Sequence, residues 1–163
     1  PLLRVTGTPW YAGLMALFAS RDAAERDVVV VSRPYDTPGT TREMAADYAK
    51  ERKQFNRPIG SFQAIQHHCA NMLIDLEASR YITYKAAWAL QNGLPCHRQI
   101  AIAKAWVSDA FQRIVKLGHQ VQGGYAFMQE HDMPLYSRRA AAAAVLFGDA
   151  AYYRGVVADA LGL

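Results

Sequence analysis

A mainly α fold, an antiparallel up-and-down four-helix bundle behind an irregular N-terminal segment, is the architecture this sequence predicts. Three observations carry it. After Thr40, apolar residues recur three or four apart over most of the chain, the period of an amphipathic helix. Between those stretches stand Asn92-Gly93, closely followed by Pro95, and Gly123-Gly124, both of them signals for the end of a helix. The connections are short, which makes neighbouring helices antiparallel.

The elements follow in order. From Pro1 to about Gly39, turn residues (Gly7, Pro9, Gly13, Pro34, Pro38, Gly39) interrupt short apolar runs, so residues 1–39 read as irregular. At most one or two short strands are expected there. Asp27–Ser32 is β-branched and bounded by polar residues, which suits a buried strand, and Trp10–Ala19 suits one short helix. A helix over Thr41–Gln54 is predicted next, with Thr40 or Thr41 as N-cap and Glu43 in its first turn. Pro58 stops it.

Ser61 is the expected N-cap of a second helix whose seam is Ile65, Cys69, Met72, Leu76, Thr83, Ala86 and Leu90. A third helix carries Ala103, Val107, Ala110, Ile114, Leu117 and Val121 on one stripe and ends at Gly123-Gly124. The last helix begins near Pro134, a residue suited to a first helical turn. It continues through the run Ala140–Ala144 to Leu161, with Gly148 as a kink. Residues 40–163 thus form the bundle.

Composition excludes several classes. The 163 residues are 52% hydrophobic and 20% charged, in keeping with one packed domain rather than disorder. The net charge of +4 is mild, and no basic block suggests a nucleic-acid arm. No charged start leads into a long apolar run, so neither a signal peptide nor a membrane span is expected. Cys69 and Cys96 lack metal-like or redox-like spacing and read as reduced thiols of a cytoplasmic protein. Pro1 in place of an initiator Met points to processing or truncation.

Two segments can carry chemistry. In Arg52-Lys-Gln-Phe55, the guanidinium is a planar fork suited to phosphate oxygens, and Phe55 three residues on offers an apolar surface on the same helical face. Gln63 and Gln120 offer amides, and Gly123 and Gly124 let backbone approach a ligand closely. Taken singly, each has an ordinary explanation: a surface arginine, a core phenylalanine, a helix C-cap.

Taken together and in this order, Arg52-x-x-Phe55, Pro58-Ile59-Gly60, Gln63, and Gln120-Val121-Gln122-Gly123-Gly124 resemble the C-terminal helical domain of the acyl-CoA dehydrogenase family, over about Thr41 to Leu163. The resemblance implies that Arg52, Phe55, Gln63, Gln120, Val121, Gln122, Gly123 and Gly124 contact the pyrophosphate and adenine half of FAD, held largely by a neighbouring subunit. It implies α,β-desaturation of an acyl-CoA thioester, as in fatty-acid or sterol side-chain oxidation. A glutamate takes the α-proton, hydride passes to the flavin, and an electron-transfer flavoprotein accepts the electrons. The implied assembly is a homo-oligomer, or a hetero-oligomer with a full-length subunit of the family.

The chain departs from the family pattern where the base belongs. Counting on from Arg138-Arg-Ala140 places Phe147 at the glutamate position, Gly148 next, and Asp149 at a flavin-contacting threonine. A phenylalanine accepts no proton, and Asp149 serves as base only if the helix is shifted. Some members carry the base on the first helix, but around Glu25 and Glu43 the sequence does not align with them. The N-terminal helical domain and most of the middle β-domain have no counterpart, and residues 1–39 read as a remnant of the latter. Two functions follow as alternatives: a subunit that completes a FAD site without its own catalytic glutamate and is inactive alone, or a non-catalytic helical assembly module that kept the fold and lost the flavin.

Other chemistry finds little support. His67-His68-Cys69 point in different directions around one helical turn, and His131 stands in a polar turn, so no metal site is expected. Ser61 and Ser108 have no evident base. Tyr81, Tyr84, Trp88 and Trp106 at helical positions read as core or subunit-interface aromatics.

Overall fold

The computed structural model of the chain describes residues 16–17, 30–31 and 38–163. Ala16–Leu17 (β1) pairs antiparallel with Val30–Val31 (β2). Val30–Val31 lies inside the expected strand, whereas Ala16 and Leu17 are strand where a helix over Trp10–Ala19 was expected. The remainder of both predicted elements lies outside the described residues.

The helices are α1 (Pro38–Glu51), α2 (Gln63–Gln91), α3 (His97–Gln122), α4 (Met133–Val145) and α5 (Ala150–Asp159). The predicted four-helix bundle is present, with its fourth member broken into α4 and α5. At the centre, α3 touches every other helix. Its stripe is the predicted one, with Ala103, Val107, Ala110, Ile114 and Val121 buried and Leu117 partly so. Fully buried Phe111, Met72, Ile114 and Met133 anchor the core, each worth roughly 1.5–3 kcal/mol of burial. At Gly118, α1 and α4 close in on α3: a Cβ there would lie 2.9 Å from both Thr41 Cγ2 and Met133 Cε.

Several expectations are corrected. The first helix starts at Pro38, whose missing N–H suits an opening turn, so Thr41 is an interior, fully buried residue rather than a cap. It ends at Glu51, and Lys53–Gln54 (β3) pairs antiparallel with Arg57–Pro58 (β4). Phe55 (φ 53°) and Asn56 (φ 60°) reverse the chain between them, the left-handed pair that a two-residue type I′ hairpin requires. Phe55 therefore lies at a hairpin tip and not on a helical face shared with Arg52. Ser61 belongs to a 3₁₀ turn (Ile59–Ser61), and its hydroxyl donates back to the Pro58 carbonyl at 2.7 Å. Phe62, without any side-chain cap bond, precedes α2.

Polar residues interrupt the buried face of α2 more than the seam suggested. Asp75, Ser79 and Thr83 are all buried. The two hydroxyls are satisfied inside the helix, Ser79 donating to the Asp75 carbonyl (2.6 Å) and Thr83 to that of Ser79 (2.7 Å). Tyr81, Tyr84, Trp88 and Trp106 are exposed and so are not core.

The last helix does not merely kink. Phe147 (φ 61°) and Gly148 (φ 102°) turn left-handed, and Asp149 starts a new helix by accepting the Tyr152 N–H at 2.8 Å. Among the described residues, no helix is long and apolar enough to cross a membrane, and no group of three or more His, Cys, Asp or Glu side chains could hold a metal ion. Cys69 and Cys96 are both free thiols.

Candidate functional site

The two motif-bearing segments meet at one end of the bundle. α1 delivers the hairpin: the Arg52 N–H still donates to the Tyr48 carbonyl (2.8 Å), and the Ile59 N–H donates to the Arg52 carbonyl (2.8 Å). Gly60 seats the following turn against α1, where a Cβ would lie 3.0 Å from the Ala49 carbonyl oxygen. From the other side, α3 ends at Gly123 (φ 63°), whose N–H donates to the His119 carbonyl. A 3₁₀ turn over Gly123–Phe127 follows. The join is a stack of Tyr48 on Tyr125, with centroids 5.5 Å apart and planes within 10°.

The hairpin has the composition of an anion site. Arg52, Lys53 and Arg57 are exposed, and none is in an ion pair among the described residues. Glu51 is the one carboxylate within residues 50–58. Phe55 is 87% exposed, and its ring meets Phe62 edge-on at 6.1 Å. The Arg57 guanidinium lies 4.1 Å over the other ring of that pair, Phe62, a cation–π contact. Arg57 and Phe62 were not singled out from the sequence. They come together only through the hairpin, which helical periodicity had hidden.

Each predicted contact residue has a definite place. Arg52, Phe55, Gln63, Gln120, Gly123 and Gly124 are exposed. Val121 packs in the core beside Ala45, Ala49, Met72 and Ile114, so only its backbone can face a ligand. Gln122 is 4% exposed, and its Nε2 is buried without a partner. Beside Gly123 and Gly124, an added Cβ would meet nothing within 4 Å. Open space along a glycine turn, a buried amide nitrogen without a partner and three cations outside ion pairs fit a phosphate-bearing, aromatic cofactor such as FAD.

Phe147 stands elsewhere. It is half-exposed in the α4–α5 break, where its carbonyl accepts the Tyr153 hydroxyl at 3.0 Å. On the α3 side, Lys104 donates to the Ala143 carbonyl (2.8 Å) and to Ser108 Oγ (3.0 Å). Burial pushes the Lys104 ammonium below its usual range, and the nearby Asp149 carboxylate partly restores it. Gly123 is nineteen residues further along α3 than Lys104, or roughly 28 Å at the helical rise. The break and the glycine turn are thus at opposite ends of the bundle. Asp149 is spent as a helix cap, far from the turn where its charge would repel phosphate.

Residues 40–162 match the family described as acyl-CoA dehydrogenase, C-terminal domain. The chain is 34% identical over 117 residues to a 3-(aryl)acrylate reductase of Clostridium sporogenes, covering 72% of this chain and 31% of that protein. The structure of butyryl-CoA dehydrogenase from Megasphaera elsdenii superposes with a TM-score of 0.75 at 32% identity, over 77% of this chain and 33% of that one. An FAD complex of PigA gives the same TM-score, 0.75, at 27% identity, with 77% and 33% covered. The chain spans about a third of the length of these relatives. It belongs to the acyl-CoA dehydrogenase family and carries that family's C-terminal helical domain.

Proposed function

We propose that this chain completes an FAD site for α,β-desaturation of an acyl-CoA thioester and leaves the proton-abstracting carboxylate to a partner subunit. The observation that carries the reading is the convergence of the Arg52–Arg57 hairpin and the Gly123–Gly124 turn through the Tyr48–Tyr125 stack. FAD held there supplies the acceptor for hydride from the β-carbon of the thioester.

The chain's own residues bind and orient. Arg52 and Lys53 offer charge-assisted donors to phosphate oxygens. The Phe55 ring and the Gln63 and Gln120 amides face a ring system or a ribose. The open backbone of Gly123 and Gly124 admits close approach. At the far end, Phe147 can shape an acyl pocket but holds no proton. The two ends, roughly 28 Å apart by the helical rise, serve different active sites of an assembly. That suits pairing with a full-length subunit of the family, and an electron-transfer flavoprotein as acceptor.

The test is an absorbance titration of the purified chain with FAD, alone and then with a full-length acyl-CoA dehydrogenase subunit. A bound-flavin spectrum that weakens in Arg52→Ala supports the reading. Flavin content unchanged in Arg52→Ala overturns it, and no binding under either condition leaves the non-catalytic assembly module as the function.

A further inference from the structure

We propose that His119 and His131 position the Gly123–Phe127 turn only while both are uncharged, so that this end of the bundle loosens in acid. The inference relies on the proposed function in one respect, namely that flavin is what the loosened turn releases.

His131 caps α4. The Met133 N–H donates to its Nδ1 at 3.0 Å, which puts the lone pair on Nδ1 and the ring proton on Nε2. Nδ1 is then the only atom that can take a proton. A proton there removes the acceptor from Met133 and sets a positive charge at a helix N-terminus, where the helix dipole already disfavours one.

His119 sits in the last turn of α3, and its carbonyl accepts the Gly123 N–H. Its Nε2 meets Ser137 Oγ, and Ser137 spends its own hydrogen on the Met133 carbonyl (3.1 Å). With the Ser137 hydrogen so placed, Nε2 donates and the lone pair lies on Nδ1, which is buried without a partner. A proton on Nδ1 would be a buried, charged N–H with no acceptor.

The two rings bracket the turn. His119 packs on Phe127 with centroids 4.5 Å apart, and His131 meets Tyr125 edge-on at 4.7 Å. The groups around them are Tyr48 from α1, Tyr125 from the turn, Ser137 from α4, and Glu130 and Asp132 flanking His131 on the exposed loop. Burial first, then the charge of His131, lowers the His119 proton affinity from its ordinary 6.5. The hydrogen-bond geometry of both rings thus suits two neutral imidazoles, and burial adds to it at His119.

The test measures amide hydrogen exchange across residues 119–137 of the full chain at pH 7.5 and pH 5.5, corrected for intrinsic exchange rates. The comparison is with His119→Gln/His131→Asn, whose amides copy the Nε2 donor and the Nδ1 acceptor without titrating. The wild type is expected to lose protection at pH 5.5, by up to about tenfold per pH unit through His119, and the double variant to be flat. A flat wild type, or equal pH dependence in both proteins, overturns the proposal.

Imidazole nitrogen shifts of the wild type give a second reading that needs no variant: a proton on Nδ1 of either ring at pH 7.5 also overturns it. FAD titration at both pH values separates the two ideas. Failure to bind at pH 7.5 counts against the flavin site alone, because exchange and tautomer still decide the latch.

Discussion

Arg113 grips Asp75 across the α2–α3 interface with two parallel bonds, Nε to Oδ2 at 2.9 Å and Nη2 to Oδ1 at 2.7 Å. The carboxylate is buried while the guanidinium is nearly half exposed, so the two partners are not equivalent. Arg113→Met strands a buried charge and is expected to cost about 1–3 kcal/mol. Asp75→Asn returns the guanidinium to water and costs less. Urea denaturation of both variants checks the asymmetry, and equal losses would contradict it.

Two glycines should respond in opposite directions. Gly118→Ala forces a methyl group against Thr41 and Met133, both fully buried, at a cost of about 1–3 kcal/mol for overpacking. Gly155 lies within α5 and has open space around it, so Gly155→Ala should stabilise by up to about 1 kcal/mol through helix propensity. Thermal melts of the two single variants give the signs directly.

Phe55 trades stability for its position. Its left-handed backbone (φ 53°) is a conformation that asparagine tolerates far better. Phe55→Asn is expected to raise the melting temperature slightly and to weaken FAD binding in the same preparation. A variant that binds flavin as well as the wild type would remove Phe55 from the site.

Asp149 caps α5, and its expected contribution is to stability rather than to proton transfer. Asp149→Ala should lower stability by about 1 kcal/mol, the usual value of an N-cap, and Asp149→Ser should recover most of it. Activity reconstituted with a partner subunit should follow stability in both variants. Loss of turnover in Asp149→Ser with its stability intact would assign the carboxylate a chemical role.

Acid should weaken the fold through His119. Its proton affinity in the folded chain is lowered from 6.5 by burial, so the unfolded chain binds the extra proton first. Stability is complete above about pH 6.5 and falls as the pH drops below it. Chemical denaturation in steps from pH 7.5 to 5.5 should show that decline, reduced in His119→Gln.

The sequence was legible where a residue's own chemistry forces a conformation. Asn92-Gly93 and Gly123-Gly124 end their helices because Gly93 and Gly123, each at φ 63°, adopt left-handed backbone freely. The hairpin was hidden because Phe55 and Asn56 carry the turn without glycine, and apolar spacing runs straight through them. Asp75 and Ser79 were missed on the buried face because cross-helix and intrahelical bonds satisfy them, a circumstance that hydropathy does not record. Within the candidate site, the order of Arg52, Gln63, Gln120 and the two glycines could be read by resemblance to a family. The Tyr48–Tyr125 stack and the two histidines could not, since packing between distant segments creates those contacts.

The central place of α3 has a consequence for how the chain acquires its structure. A nascent chain that has emerged only as far as Pro95 holds α1 and α2 but lacks the helix against which both are packed. A 14-residue helix such as α1 is marginal in water without tertiary support. The full core therefore waits for residues 97–122, and α4 and α5 then dock on a surface already formed. On the ribosome, the late arrival of the middle of the chain sets the moment at which the bundle can exist at all.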